Sequence, residues 1–222
     1  MGRIDRLMDV ETPVRPEVAS PKTLYGRVFK RWIDLGLTLL TLPFWLPLIG
    51  LLGLIIKLQD GGSVFYRRRV VGREGEFDAF KLRTMRIDAD RILQDHAHLM
   101  AEYTKNFKLK DDPRLTRIGR YLRRWSLDEL PQLFNVLRGE MSLVGPRMIT
   151  RPELEKYGAY QSLLLSVKPG LTGHWQVSGR QEVSYDERVK MDVFYIRNWS
   201  LWFDFEILFK TGWKVLKREG AY

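Results

Sequence analysis

The sequence predicts an α+β fold, mostly helical, with a small β-hairpin, a long apolar helix near the N-terminus and amphipathic helices suited to an interface. Three observations predict it. Ile33–Leu58 is an almost unbroken apolar run, glycine turns bracket two short strand-like runs, and helical spacing of apolar residues dominates the rest of the chain. With 222 residues, 45% hydrophobic and 29% charged, the chain is one domain of ordinary size that can bury a core, which excludes wholesale disorder.

Residues 1–24 carry Pro13, Pro16 and Pro21 among mixed charges with no apolar period. They read as a flexible tail and lack the apolar centre of a signal peptide. Residues 25–59 hold the apolar run, which passes the ~18–20 residues needed to cross a bilayer. A single-pass anchor is the simplest reading. Pro43 and Pro47 sit in its middle, where each removes a backbone hydrogen bond and favours a bend. Both flanks are basic, with Arg27, Lys30 and Arg31 before the run, Lys57 at its end and Arg67–Arg69 after it. The positive-inside tendency then places both ends on one side, so a re-entrant membrane helix is expected, bent at Pro43 and Pro47.

Residues 60–222 form the remaining body. Gly61-Gly62 turns the chain into a strand at Ser63–Val71, and Gly72–Gly75 returns it as Phe77–Thr84. Residues 87–104 read as one helix. Asp111-Asp112-Pro113 is a turn, and Arg114–Trp125 is a basic amphipathic helix with Leu115, Ile118, Leu122 and Trp125 on one face. Val189–Arg218 is helical and aromatic throughout. Its rings suit a bilayer interface and an ordinary aromatic core equally.

The net charge is +10, and residues 64–125 supply most of it, with 16 Lys and Arg against 9 Asp and Glu. Such a surplus attracts nucleic acid, an anionic membrane face or phosphorylated small molecules. There is no cysteine, which excludes disulfides, thiolate catalysis and cysteine zinc sites. His96, His98 and His174 have no metal-ligand spacing, and in a continuous helix His96 and His98 point to different faces.

Ser126-Leu127-Asp128-Glu129 has the form of a capping box. Asp128 and Glu129 would sit at the positive end of a helix beside Arg123 and Arg124, which favours their ionised forms. A carboxylate held so can ligate magnesium or attack phosphorus, and acids at a helix start also serve simply as caps. Pro131 predicts a distortion next to the two carboxylates. Lys81-Leu82-Arg83, Gly145-Pro146-Arg147, Lys168-Pro169-Gly170 and Ser178-Gly179-Arg180 add cationic loops around this segment. No GxxxxGK[ST] or GxGxxG string is present, so a nucleotide here would not use a P-loop or Rossmann site.

Read in order, the strings KRWIDL (30–35), VFYRRRVVGREGEFDAFKLRTM (64–85), DDPRLTRIGRYLRRWSLDELPQLFNVLRGEMSLVGPR (111–147), KPGLTGHWQVSGR (168–180) and REGAY (218–222) resemble the monotopic polyprenyl-phosphate phosphoglycosyl transferases, the bacterial sugar transferase family. The likeness covers about residues 25–222. It implies a magnesium-dependent transferase on the cytoplasmic face of a bacterial inner membrane. Its partners would be a UDP-sugar, a polyprenyl phosphate and membrane lipid, with no nucleic acid; a homodimer is compatible with it. The dyad matching the family's catalytic pair is Asp128-Glu129. By resemblance Asp128 is the nucleophile, Glu129 with Asp128 holds magnesium, and Lys81, Arg123, Arg147 and Arg180 contact phosphate. Residues 60–222 would be the catalytic domain with interfacial helices. The chain departs from the family pattern at Met148, where proline is usual, and at Leu46, where serine often precedes the bend proline. It is also expected to lack the N-terminal multi-span region of larger relatives. Rival readings are a membrane-tethered nucleic-acid-binding protein, suggested by charge alone, and a non-catalytic scaffold, against which the intact dyad argues.

Overall fold

The computed structural model describes residues 29–106, 109, 112–178 and 183–217; the N-terminal tail and the closing REGAY lie outside the described residues. The apolar run folds as α1, Lys30–Asp60, 31 residues and therefore ~46 Å long. By length and composition α1 is long and apolar enough to cross a membrane. Pro43 and Pro47 lie inside it without ending it. Carbonyls in the turn before Pro43 take side-chain donors: the Trp45 indole N–H reaches Thr38 O at 3.1 Å, and the Thr41 hydroxyl reaches Leu37 O at 2.7 Å.

One face of α1 is buried through Trp45, Ile49, Leu52 and Ile56, which pack with Leu82, Leu122 and Leu133. The other exposes Leu39, Leu40, Phe44, Leu51, Leu54 and Leu58. Both ends of α1 are tied to the body that comes after it. At its start Lys30 forms a buried ion pair with Asp204 at 2.6 Å, and the Arg31 guanidinium donates to the Val136 and Leu137 carbonyls. Asp34 accepts the Leu143 backbone N–H at 3.1 Å. At its end Asp60 pairs with Arg83.

The hairpin forms as the glycines predict, with β1, Phe65–Gly72, antiparallel to β2, Gly75–Leu82, and Gly72 opposite Gly75. Val70, Phe77 and Ala79 bury against Val136, Met141 and Met148. The single helix expected over 87–104 is two, α2 at Ala89–Gln94 and α3 at Ala97–Asn106. Asp95 and His96 separate them; an aspartate side chain competes for backbone hydrogen bonds and favours such breaks. The break brings the His96 and His98 rings edge to face, 5.9 Å apart, instead of onto different faces. Next comes α4, Arg117–Arg124, capped by the Thr116 hydroxyl, which accepts the Gly119 N–H at 2.9 Å.

A 3-10 turn at Leu127–Glu129 leads to α5, Gln132–Arg138. The chain then forms β3, Ser142–Val144, which pairs in parallel with β4, Gly170–Thr172, across α6 (Arg151–Leu154) and α7 (Gln161–Leu165). The sequence predicts only turns there, so this two-stranded ladder is a feature of the structure alone. Its strands touch backbone to backbone: a Cβ on Gly170 would lie 2.1 Å from the Gly145 nitrogen. Three helices complete the chain, α8 at His174–Ser178, α9 at Tyr185–Arg197 and α10 at Leu201–Lys217. The continuous helix expected from Val189 to Arg218 is thus interrupted at Asn198–Ser200.

The aromatics of that stretch divide. Tyr195 is buried, and Phe203 and Trp199 pack against the main core with Val144, Ile196 and Ile207. Trp202, Phe205, Phe209, Trp213 and Leu216 are exposed along α10.

Candidate active site

Lys81 stands one residue before the end of β2, and the chain beyond it runs directly beneath α4. The contact is a backbone one. Thr84 O accepts the Thr116 N–H at 3.0 Å, and a Cβ on Gly119 would lie only 1.9 Å from that oxygen. Only glycine allows α4 this close. The approach lets Arg123, on the last turn of α4, donate from Nε to the Thr84 hydroxyl at 3.0 Å. Arg117, Arg120 and Arg124 face outward, so Arg123 is the arginine that α4 turns inward.

Ser126 then adopts φ 55°, a left-handed conformation rare for a residue with a side chain. The chain reverses sharply there, and the capping box expected at Ser126–Glu129 does not form. Ser126 makes no side-chain cap bond; its carbonyl accepts the Glu129 N–H at 3.3 Å instead. Pro131, with no N–H to give, delays α5 until Gln132, which is the distortion the sequence predicts. Capping boxes do form at Thr150–Glu153 and Ser184–Glu187.

The strained turn delivers two carboxylates to Lys81 and Arg123. Glu129 Oε1 accepts from Lys81 Nζ at 2.6 Å, with both side chains mostly buried. Asp128 is buried, and burial pushes its carboxyl above the usual range. The Glu129 charge adds to that rise, while Lys81 and Arg123 oppose it. Local charge alone, which the sequence suggests would lower this carboxyl, therefore does not set the direction of its shift: desolvation outweighs both cations.

Arg147 lies in a second cluster. It comes just after β3, pairs its backbone with Gly170, and places its guanidinium 5.7 Å from the Trp175 ring centre. The Arg188 guanidinium lies 4.8 Å from the same ring. Asp192, fully buried, accepts the Tyr157 hydroxyl at 2.8 Å. Burial pushes Asp192 up to about 7, against the hydrogen bond from Tyr157 and the Arg147 charge, which lower it. Arg180 lies outside the described residues.

Among the described residues no three histidine, aspartate or glutamate side chains gather as a metal cage. Asp128 and Glu129 are two adjacent hard oxygen donors. That set fits magnesium, which uses one or two carboxylates and completes its shell with substrate phosphate and water.

Residues 25–218 match the family model described as bacterial sugar transferase. The chain belongs to the bacterial sugar transferase family. Within that family, the "UDP-galactose-lipid carrier transferase" of Erwinia amylovora is 48% identical over 202 residues, covering 89% of this chain and 42% of that protein. The "Undecaprenyl-phosphate galactose phosphotransferase" of Salmonella typhimurium is 47% identical, over 89% of this chain and 42% of its own length. The "Exopolysaccharide production protein ExoY" of Sinorhizobium fredii is 45% identical, over 89% of each chain. The chain thus spans less than half the length of the first two and most of the third.

Among sugar-transferase features, Met148 departs from the usual proline and has a clear place. It is 3% exposed in the core beneath the hairpin, so it anchors the loop that carries Arg147. Sequence reasoning misses Thr84, Trp175, Arg188 and Asp192. The four-residue spacing of Arg188 and Asp192, which puts both on one helix face, is the signal that could have found the last two.

Proposed function

We propose that this protein transfers a sugar-1-phosphate from a UDP-sugar to polyprenyl phosphate and releases UMP, as the first membrane step of surface polysaccharide or glycoconjugate synthesis. The observation that carries this reading is the Asp128-Glu129 pair held against Lys81 and Arg123 in a chain of this family. Phosphoryl transfer chiefly needs a positioned nucleophile with fixed positive charge around it.

In the proposed course an Asp128 oxygen attacks the sugar-bearing phosphorus. The bond from that phosphorus to the bridging oxygen breaks, and UMP leaves with the bridging oxygen. The polyprenyl phosphate oxygen then attacks the same phosphorus and restores the Asp128 carboxylate, giving a polyprenyl diphosphate sugar. Lys81 and Arg123 face the charge that develops on the phosphoryl oxygens. Magnesium held by Asp128 and Glu129 would neutralise diphosphate charge. Arg147 and, by resemblance, Arg180 would contact the substrate phosphates.

The same reading makes α1 re-entrant at the cytoplasmic face of the inner membrane, with α10 in the interface. Support comes from both ends of α1 being tied to one body, through Lys30–Asp204 and Asp60–Arg83, where a straight span would carry one end across the bilayer. The exposed apolar sides of α1 and α10 supply the lipid-facing surface.

The deciding experiment measures UMP release from a panel of UDP-sugars with polyprenyl phosphate and magnesium present. Release that depends on one UDP-sugar is expected, and no release from any member would overturn the reading. For topology, the cysteine-free chain takes single cysteines as Ser20→Cys and Ser63→Cys. An impermeant maleimide on intact cells lacking an outer-membrane barrier should label neither; labelling at position 20 alone would establish a single span.

A further inference from the structure

Arg147 and Arg188 come from distant parts of the chain, one after β3 and one in the first turns of α9, yet both guanidinium groups rest on the indole of Trp175. Bringing two like charges to one ring is unfavourable unless something else on the molecule or a ligand offsets them. Among the described residues neither arginine is in an ion pair. Arg188 spends only its Nε, donated to the Val183 carbonyl at 3.2 Å, which leaves its two terminal nitrogens without a hydrogen bond among the described residues. Its pKa is held below the ordinary arginine value by burial and by the Arg147 charge. Both side chains remain partly exposed, while Trp175 beneath them is 7% exposed and fixed. Two acids act on the cluster: Asp192 accepts the Tyr157 hydroxyl through one oxygen inside the core, where it meets no solvent, and Glu153, whose charge reaches Arg188, is paired with Arg68 at 3.0 Å.

We infer that Arg188 is a second phosphate-binding arginine, which acts with Arg147 across Trp175 on a substrate phosphate. The inference rests on the reading of Arg147 as a phosphate contact and adds a residue to it. Two forked guanidinium groups presented from a rigid aromatic platform match the oxygens of a diphosphate or a phosphate monoester. Two substrates carry that chemistry, the nucleotide sugar and the polyprenyl phosphate.

The test uses the full chain in nanodiscs with Arg188→Gln and Arg188→Lys. Glutamine keeps much of the packing on Trp175 and removes the charge. A KM raised about tenfold or more for one substrate, with the melting temperature nearly unchanged and partial recovery in Arg188→Lys, is expected for a lost charged hydrogen bond. A rise confined to the UDP-sugar, together with slower UMP release when no lipid acceptor is present, identifies the nucleotide as the ligand. A rise confined to polyprenyl phosphate identifies the lipid. Unchanged KM for both, or a lower melting temperature with fewer active molecules and the same KM, overturns the inference. If wild type releases no UMP from any UDP-sugar, the functional reading fails on its own. The site is then tested by calorimetry with inorganic pyrophosphate, which should bind wild type and bind Arg188→Gln at least several-fold more weakly; equal binding, or none to either, overturns the inference.

Discussion

The two cationic clusters of this protein differ in how their charge is balanced. In the first, Lys81 donates a hydrogen bond to Glu129 at 2.6 Å and Arg123 leans on Thr84 beside Asp128. Cations and acids there are matched, which lets two carboxylates be withdrawn from water. In the second, Arg147 and Arg188 share an indole, and the acid beside them is buried and raised to about 7. In the proposed function the first cluster holds the reactive carboxylate, while the second carries positive charge that no ion pair among the described residues offsets. Their mutational signatures should therefore separate.

Removing the proposed nucleophile, Asp128, is the largest expected break. Asp128→Asn keeps size and removes charge, so UMP release should fall by roughly 10⁴-fold or more while the fold persists. Wild type incubated with a sugar-labelled UDP-sugar and no acceptor should retain acid-sensitive label, and the variant should not. Near-normal turnover in Asp128→Asn would sink the covalent course.

Removing one cation from each cluster sharpens the contrast. Arg147→Ala should cut activity by roughly 10²-fold, as loss of one charged contact to a transition state does. It breaks no ion pair among the described residues, so its melting temperature should stay within a few degrees, and the protein should remain in the membrane fraction. Lys81→Met should lose activity and also stability, by about 2 kcal/mol, because Glu129 is left with its charge unmatched. Thermal unfolding of both variants in nanodiscs decides the matter. Equal loss of stability would show that the clusters do not differ as described.

How much of the molecule is legible in the sequence depends on how local each signal is. The hairpin is legible because two glycine pairs mark both turns, and the register Gly72↔Gly75 bears it out. The apolar helix is legible because the 26 residues of Ile33–Leu58 speak together. The helix breaks at Asp95-His96 and Asn198–Ser200 escape notice, since single polar residues inside a periodic stretch are weak signals. The paired strands β3 and β4 are three residues each, too short for a period to register. At the site, Lys81, Arg123, Asp128 and Glu129 can be named from the sequence, and the fold brings them together. The cap expected at Ser126 fails because a left-handed serine cannot be read from its letters. The four-residue spacing links Arg188 to Asp192, but these two and Trp175 join Arg147 through tertiary packing across more than twenty residues of chain, which no local pattern encodes.

The smallest expected effect concerns Asp192, and it tests whether the second cluster really lacks a counter-charge. The groups facing Asp192 are Tyr157, which donates to it, and the positive Arg147. Its carboxyl sits at about 7 in the folded protein, above the ordinary unfolded value of about 3.9. The folded state thus holds the proton more tightly than the unfolded chain. The resulting stability is full below the unfolded value and is lost as pH rises through about 7. Between about pH 5 and pH 7 the loss should be on the order of 1–2 kcal/mol. Asp192→Asn cannot titrate, so its melting temperature should fall less over that interval than wild type's, with the other acids contributing equally to both. A parallel slope in the two proteins would mean that Asp192 is ionised throughout. Arg147 would then carry a buried counter-ion, and the second cluster would be balanced in the same way as the first.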